Sequence, residues 1–318
     1  MTPRLKLPVL LAMLLSSMLW AQTAFPQEPE TIGATDFPAA VDYGIATAPA
    51  YAPVYNLQGT GLFNGSDIWT WKFLPQGFLY HTYLASLPEP RLAVQVLNER
   101  HQGAFVDSFI GGRIGFVRFG RQDSPEGFQL DVLGGANLRQ DPTPDWDVEA
   151  VQFRYDIPLT YRKGAHAWKF GFYHISAHLG DEFLLKNPDY DRLNWLRDSL
   201  YLGYSYYPIP EFRLYGEVGW AFNSDVSKPW EFQFGIEYAP AYPTGIYGAP
   251  FFAINGHLQQ ELDFGGSLNV QGGWAWRGEG QAAGLLRTGP YYYDGGSPQF
   301  SFYKVHEQQF GWGLWYDF

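Results

Sequence analysis

The chain contains no cysteine. Disulfides are therefore excluded, and so is the thiol that a lipoprotein anchor requires. Beyond its first segment it has no unbroken apolar run near the roughly 20 residues that a spanning helix needs. Basic residues are also scarce: 21 Lys and Arg stand against 32 Asp and Glu, a net charge of −11. Nothing basic is clustered, and an acidic surface of this kind repels nucleic acid, so no nucleic-acid partner is expected.

Aromatic residues and glycine are abundant: 19% Phe, Trp and Tyr and 36 glycines, with a mean hydropathy of −0.23. That combination fits a sheet with one face in lipid and one in water, and it fits a soluble enzyme poorly. The chain opens with Arg4 and Lys6, an apolar run from Leu7 to Trp20, and then Ala21, Thr23 and Ala24. This reads as a secretory signal peptide over residues 1–24, cut between Ala21 and Ala24. Residues 25–66, rich in Pro, Ala, Gly and Thr, read as a flexible periplasmic linker. Residues 67–90 carry IWTWKF and GFLYHTYLA and are expected to be ordered, as a cap, inside a lumen or on the membrane surface.

From there the alternation has the period of two that belongs to strands. In 149–162, Val151, Phe153, Tyr155, Ile157, Leu159 and Tyr161 oppose Gln152, Arg154, Asp156, Thr160 and Arg162. In 230–238, Trp230, Phe232, Phe234, Ile236 and Tyr238 oppose Glu231, Gln233 and Glu237. Segments 127–139 and 212–223 do the same, with Asn223 assigned to the polar face. A charge in mid-strand rules out a second dry face, so one face meets lipid and the other a polar interior. Similar runs occur at 104–120, 167–178, 194–207, 250–259, 265–277, 282–294 and 304–318. Short links at 162–166 and 207–211 read as periplasmic turns and the long link 179–193 as an outer loop. That sidedness requires one more ascending strand, Arg91–Leu97, making twelve. The expectation is an all-β chain, a transmembrane antiparallel β-barrel of twelve strands over residues 91–318.

The last strand places Phe310, Trp312, Leu314, Tyr316 and Phe318 on one face. An aromatic row closing on Phe318 resembles the terminal strand by which bacterial outer-membrane barrels are recognised for insertion. The implied location is the outer membrane, and the implied partners are its lipid and the barrel-assembly machinery. Inside, Arg113, Asp131, Arg154, Asp156, Arg213, Glu217, Glu231 and Glu237 can fill a lumen with their own ion pairs. A structural or interaction barrel with a closed polar lumen is the first expectation, and a narrow pore for small solutes is an alternative.

Several stretches, FLPQGFLYHTYLAS (73–86), PLTYRKG (158–164), GFYHISAHLGDEFL (171–184), LYGEVGWAF (214–222), PWEFQFGIEY (229–238), FFAINGHL (251–258) and GWGLWYDF (311–318), resemble a bacterial family catalogued as domain of unknown function 1207. The resemblance implies an outer-membrane barrel of unestablished activity.

One stretch could carry chemistry. His174 and Ser176 share a strand face with Phe172, Phe170 and Trp168, and that face leads to the outer rim. If Trp168 lies opposite Tyr206, Ser176 meets Asp198, with Asn194 one step further. A nucleophile, a base and a group that orients the base would then be together. The pattern is similar to outer-membrane phospholipase A and lipid A deacylases, which carry His-x-Ser on an outward strand face. Here Ala177 and His178 follow the serine where those enzymes have Asn. The implied activity is outer-leaflet lipid acyl hydrolysis by Ser176, His174 and Asp198 or Asn194. A bulge near His174 would instead turn His174, Ser176 and His178 into the lumen as rim hydrogen-bonding groups. No cofactor is expected, unless His178, Asp181 and Glu182, with Asp189 and Asp191, hold a divalent cation at the outer rim. Glycine clusters such as GGWAWRGEG open no helix and carry no nucleotide site.

Overall fold

The computed structural model describes residues 68–122, 124–143, 145–278 and 284–318. The expected signal peptide (1–24) and linker (25–66) lie outside them. Alternating lipid- and lumen-facing side chains organise the described chain into thirteen strands: β1 (Trp69–Phe73), β2 (Leu92–Glu99), β3 (Gly103–Arg121), β4 (Gly127–Asp141), β5 (Asp147–Lys163), β6 (His166–Leu179), β7 (Trp195–Ile209), β8 (Phe212–Ser224), β9 (Trp230–Tyr238), β10 (Ala249–Gln259), β11 (Gly266–Arg277), β12 (Leu285–Gly296) and β13 (His306–Asp317). Strands β2 to β13 pair with their sequence neighbours, and β13 closes on β2 through Trp312↔Val96 and Tyr316↔Leu92. The result is the expected closed twelve-stranded transmembrane barrel, in which all backbone groups of the wall can pair without an aqueous edge. We call the rim bearing the β3–β4, β5–β6 and β7–β8 turns the lower rim. The opposite rim, bearing α1 (Asp181–Lys186), is the upper one.

The first wall strand is interrupted. β1 pairs with the lower end of β3 (Trp69↔Arg121, Phe73↔Val117), and β2 pairs with its upper end (Ala93↔Phe109, Glu99↔Gly103). Both pieces run antiparallel to β3 on the same side. Between them the chain leaves the wall and fills the lumen, so the described part of the 67–90 segment is divided between the wall strand Trp69–Phe73 and the barrel interior. Trp69, Trp71 and Phe73 face lipid, whereas Leu79, Tyr80, Tyr83, Leu84 and Ala85 are buried.

This luminal segment has no regular structure, so its carbonyls need donors. Wall arginines supply them. Arg118 Nη2 donates to Gly77 O (2.9 Å), and Arg162 Nη1 to Leu79 O (3.3 Å). Arg213 serves His81 O and Thr82 O (2.9 and 3.1 Å) while it also pairs with Glu237 (3.2 Å). Arg91 folds back on Tyr83, Leu84 and Ser86 carbonyls at 2.6–2.7 Å, and Asn269 donates to Ala85 O (2.8 Å). Lys169 sits between Glu89 (3.0 Å) and Glu217 (2.7 Å), and the Tyr83 ring stacks on Tyr215 at 3.8 Å. From above, the β12–β13 loop folds inward, burying Ser297, Gln299, Phe300 and Ser301, with Phe300 stacked on Trp195 at 4.3 Å.

Every lumen charge expected from the sequence has an opposite partner: Arg113–Asp131, Arg154–Asp156, Arg213–Glu237, Lys169–Glu217 and Arg197–Glu231. A gap between segment and wall, lined by Tyr80, Glu89, Arg113 and Lys169 among others, measures about 20 Å³, room for one water molecule.

Removing one arginine strands both a buried carboxylate and two carbonyls. Arg213→Ala is therefore expected to cost about 3–5 kcal/mol of stability, read as a lower urea midpoint for refolded protein followed by tryptophan fluorescence.

Candidate active site

β6 carries its lumen face on odd numbers: Lys169, Tyr173, Ile175 and Ala177 are buried, while Phe170, Phe172, His174, Ser176 and His178 lie on the other face. The alternation runs unbroken from His166 to Leu179, and β6 pairs with β5 and β7 without a register shift. No bulge turns His174, Ser176 or His178 inward. Their face is the lipid-facing one.

The register across β6 and β7 differs from expectation by two residues. Trp168 pairs with Tyr204, not Tyr206, because β6 begins at His166, which takes Tyr206 opposite it. At the lower end of the pair Tyr207 N donates to Ala165 O (2.9 Å), in line with this register. His174, not Ser176, therefore lies opposite Asp198, and Ser176 lies opposite Leu196. His174 Nδ1 is 2.7 Å from Asp198 Oδ1. Asn194 precedes β7 and donates to Asp225 Oδ2 (2.9 Å), so it is not behind the imidazole.

A residue assigned to the wrong face completes the arrangement. Asn223 Nδ2 donates to Asp198 Oδ2 (2.6 Å). The pairing steps from Ser199↔Ala221 to Asp198↔Asn223, which leaves Phe222 as an extra residue in β8. This bulge puts Phe222 and Asn223 together on the outer side. The sequence carries no clear signal for it beyond the polar run Asn223–Ser224–Asp225 that opens the upper turn. Tyr155, directly opposite His174 on β5, stacks on the imidazole at 5.1 Å and 25°.

His174 and Asp198 side chains are 22% and 18% exposed, partly sheltered by their neighbours. With Asp198 accepting the Nδ1 proton, the imidazole is held in the tautomer that leaves Nε2 as a base. Among the described residues neither Nε2 of His174 nor the Ser176 hydroxyl has a hydrogen-bond partner, and none joins the two. What the geometry brings together is a base, its orienting carboxylate and an amide behind that carboxylate, with a hydroxyl two residues along the same face.

The candidate metal ligands do not converge. His178 stays on the outer face of β6 beside Phe153, whereas Asp181 and Glu182 open helix α1. Lys186 at the end of α1 binds Asp147, an interaction that raises its pKa and ties the helix to β5. Among the described residues no group of three or more His, Asp or Glu side chains is arranged to hold a metal ion.

Residues 60–318 match the model of a protein family of unknown function, DUF1207. The chain belongs to that family. No curated protein matches it. Among solved structures, this DUF1207 barrel is similar to the outer-membrane phospholipase of Salmonella typhi, solved as a dimer with bound calcium. The two share 11% identity at a TM-score of 0.50, over 74% of this chain and 94% of that one. Outer-membrane phospholipase A from Escherichia coli matches at 10% identity and a TM-score of 0.49, over 72% and 94%. A variant of the Rh. blastica porin matches at 9% identity and a TM-score of 0.32, over 72% and 99%. At these identities the Salmonella likeness speaks for the fold alone, a transmembrane barrel.

The His174–Asp198 hydrogen bond couples the two residues energetically. A double-mutant cycle with His174→Ala and Asp198→Ala should give roughly 0.5–1.5 kcal/mol of coupling in urea unfolding. Additive costs would mean that the side chains only lie near each other.

Proposed function

We propose that this DUF1207 protein is a bacterial outer-membrane barrel with a closed lumen that hydrolyses ester-linked acyl chains of lipid on its outward face. The observation that carries the reading is the 2.7 Å contact from His174 Nδ1 to Asp198 Oδ1, with Ser176 on the same lipid-facing row. Outer-membrane location is supported by the likeness of fold to an outer-membrane phospholipase. The upper rim would then meet the outer leaflet.

In this reading the Ser176 hydroxyl oxygen attacks the ester carbonyl carbon while His174 Nε2 takes its proton. The imidazolium is stabilised by Asp198, whose second oxygen is held by Asn223. The C–O bond breaks as His174 returns the proton to the leaving alcohol. Water, activated by the same nitrogen, then releases the acid and frees the serine. Tyr155 supports the ring, and Phe153, Phe172 and Leu196 offer apolar surface to the acyl chain.

The pore reading is less well supported, because the luminal segment and the β12–β13 loop occupy the space a solute would need. Planar-bilayer recordings of the wild type are expected to stay at the baseline.

The barrel offers its own control for the hydrolase. On another part of the wall, at the upper end of β13, His306 Nε2 lies 3.0 Å from Asp294 Oδ1. In phospholipid hydrolysis by refolded protein, Ser176→Ala and His174→Ala should each slow the reaction by at least about 10²-fold. His306→Ala should match the wild type. Equal rates for wild type and Ser176→Ala would remove the serine, leaving a closed barrel with a structural or interaction role.

A further inference from the structure

The β9–β10 loop, residues 239–248, lies at the lower rim, at the opposite end of the barrel from His174. Its tip is a tight turn: Thr244 N and Gly245 N both donate to Gly248 O (2.9 and 3.2 Å). The two residues at the apex are the apolar Ile246 and Tyr247, 82% and 90% exposed. Tyr247 has φ +52°, a conformation that a bulky side chain adopts only at a cost. Strain combined with exposed apolar surface is a poor bargain in water, and it points to a contact beyond the chain itself.

The direction of the turn indicates what that contact is. Trp274 lies on the outer face of β11, opposite Pro250 on β10 and Thr288 on β12. A Cβ added to Gly248 would stand 2.5 Å from Trp274 Nε1, and one added to Gly245 would stand 3.1 Å from the ring. Both glycines let the turn press against the indole. The tip is thus folded back onto the outside of the wall, against a residue of the lipid-facing surface, and not over the mouth of the lumen. Trp69 and Trp71 also face outward at the lower rim. The apex continues an aromatic belt of the kind that sits at a membrane–water boundary.

We infer that Ile246 and Tyr247 form a hook that inserts into the lipid leaflet at the lower rim. The occupant of this surface is bilayer lipid, with the two side chains about 5–10 Å into the headgroup and acyl boundary. The inference is independent of any activity at Ser176.

The absence of cysteine makes the test direct, since a single introduced thiol is labelled alone. Ile246→Cys and, separately, Tyr247→Cys would carry an environment-sensitive fluorophore. Lys304→Cys, on an upper loop, would serve as the water-exposed control. The full-length protein is placed in bilayer discs of phosphatidylcholine and phosphatidylglycerol, with folding checked by heat-modifiable gel mobility. Spin-labelled lipid should roughly halve emission from position 246 or 247, and aqueous iodide should have little effect there. The control should respond in the opposite way. Strong iodide quenching at both hook positions would overturn the inference. So would resistance to both quenchers, which would mean that protein, such as a second copy of the chain, covers the turn. Either thiol variant alone decides the matter if the other does not fold.

Discussion

The structure depends on how an irregular backbone can be buried inside a barrel. Residues 75–91 have no sheet partner, and little space is left around them for water. Their carbonyls must be met by donors from the wall. Arginine suits this task because its planar fork has five N–H donors and can serve two carbonyls and a carboxylate at once. Arg213 does so, holding His81 and Thr82 while it pairs with Glu237. The acidic wall residues orient the guanidinium groups and balance their charge. A lumen dense in charge is therefore consistent with a closed barrel, and the network is built around a length of main chain as much as around side-chain pairs.

The twelve wall strands were legible because lipid and lumen impose opposite demands on alternate residues. Trp230, Phe232 and Phe234 cannot share a face with Glu231 and Gln233 when one face is hydrocarbon. The luminal segment was not legible in the same way. Its apolar and polar residues pack among tyrosines and arginines that the wall supplies, and those partners are 40 to 200 residues away in sequence. Arg91 illustrates the difficulty. It reads as the first residue of a strand, yet its guanidinium turns back to clasp Tyr83, Leu84 and Ser86.

At the outward cluster, residue types were readable and geometry was only partly so. Period two placed His174 and Ser176 on one face, and no bulge disturbed it. The register between β6 and β7, which are joined by the long upper loop, is not encoded by alternation, and Asp198 fell opposite the imidazole and not the hydroxyl. The bulge at Phe222 brought in Asn223, a contact between strands that no single-strand pattern could reveal. Outward faces turn polar above Phe172 on β6 and above Phe310 on β13, so some hydrogen-bonding groups at this level mark the top of the apolar band. What distinguishes β6 is the serine beside an imidazole already fixed by a carboxylate.

The division of the first wall strand has a mechanical consequence. A plug domain joined to a barrel by one linker can in principle be drawn out, leaving a finished cylinder behind. Here the filling is stitched into the cylinder at both ends, since β1 and β2 are its continuations and both are hydrogen-bonded to β3. Any force that pulled it free would unzip the wall at one seam or the other. The barrel and its contents are one topological object.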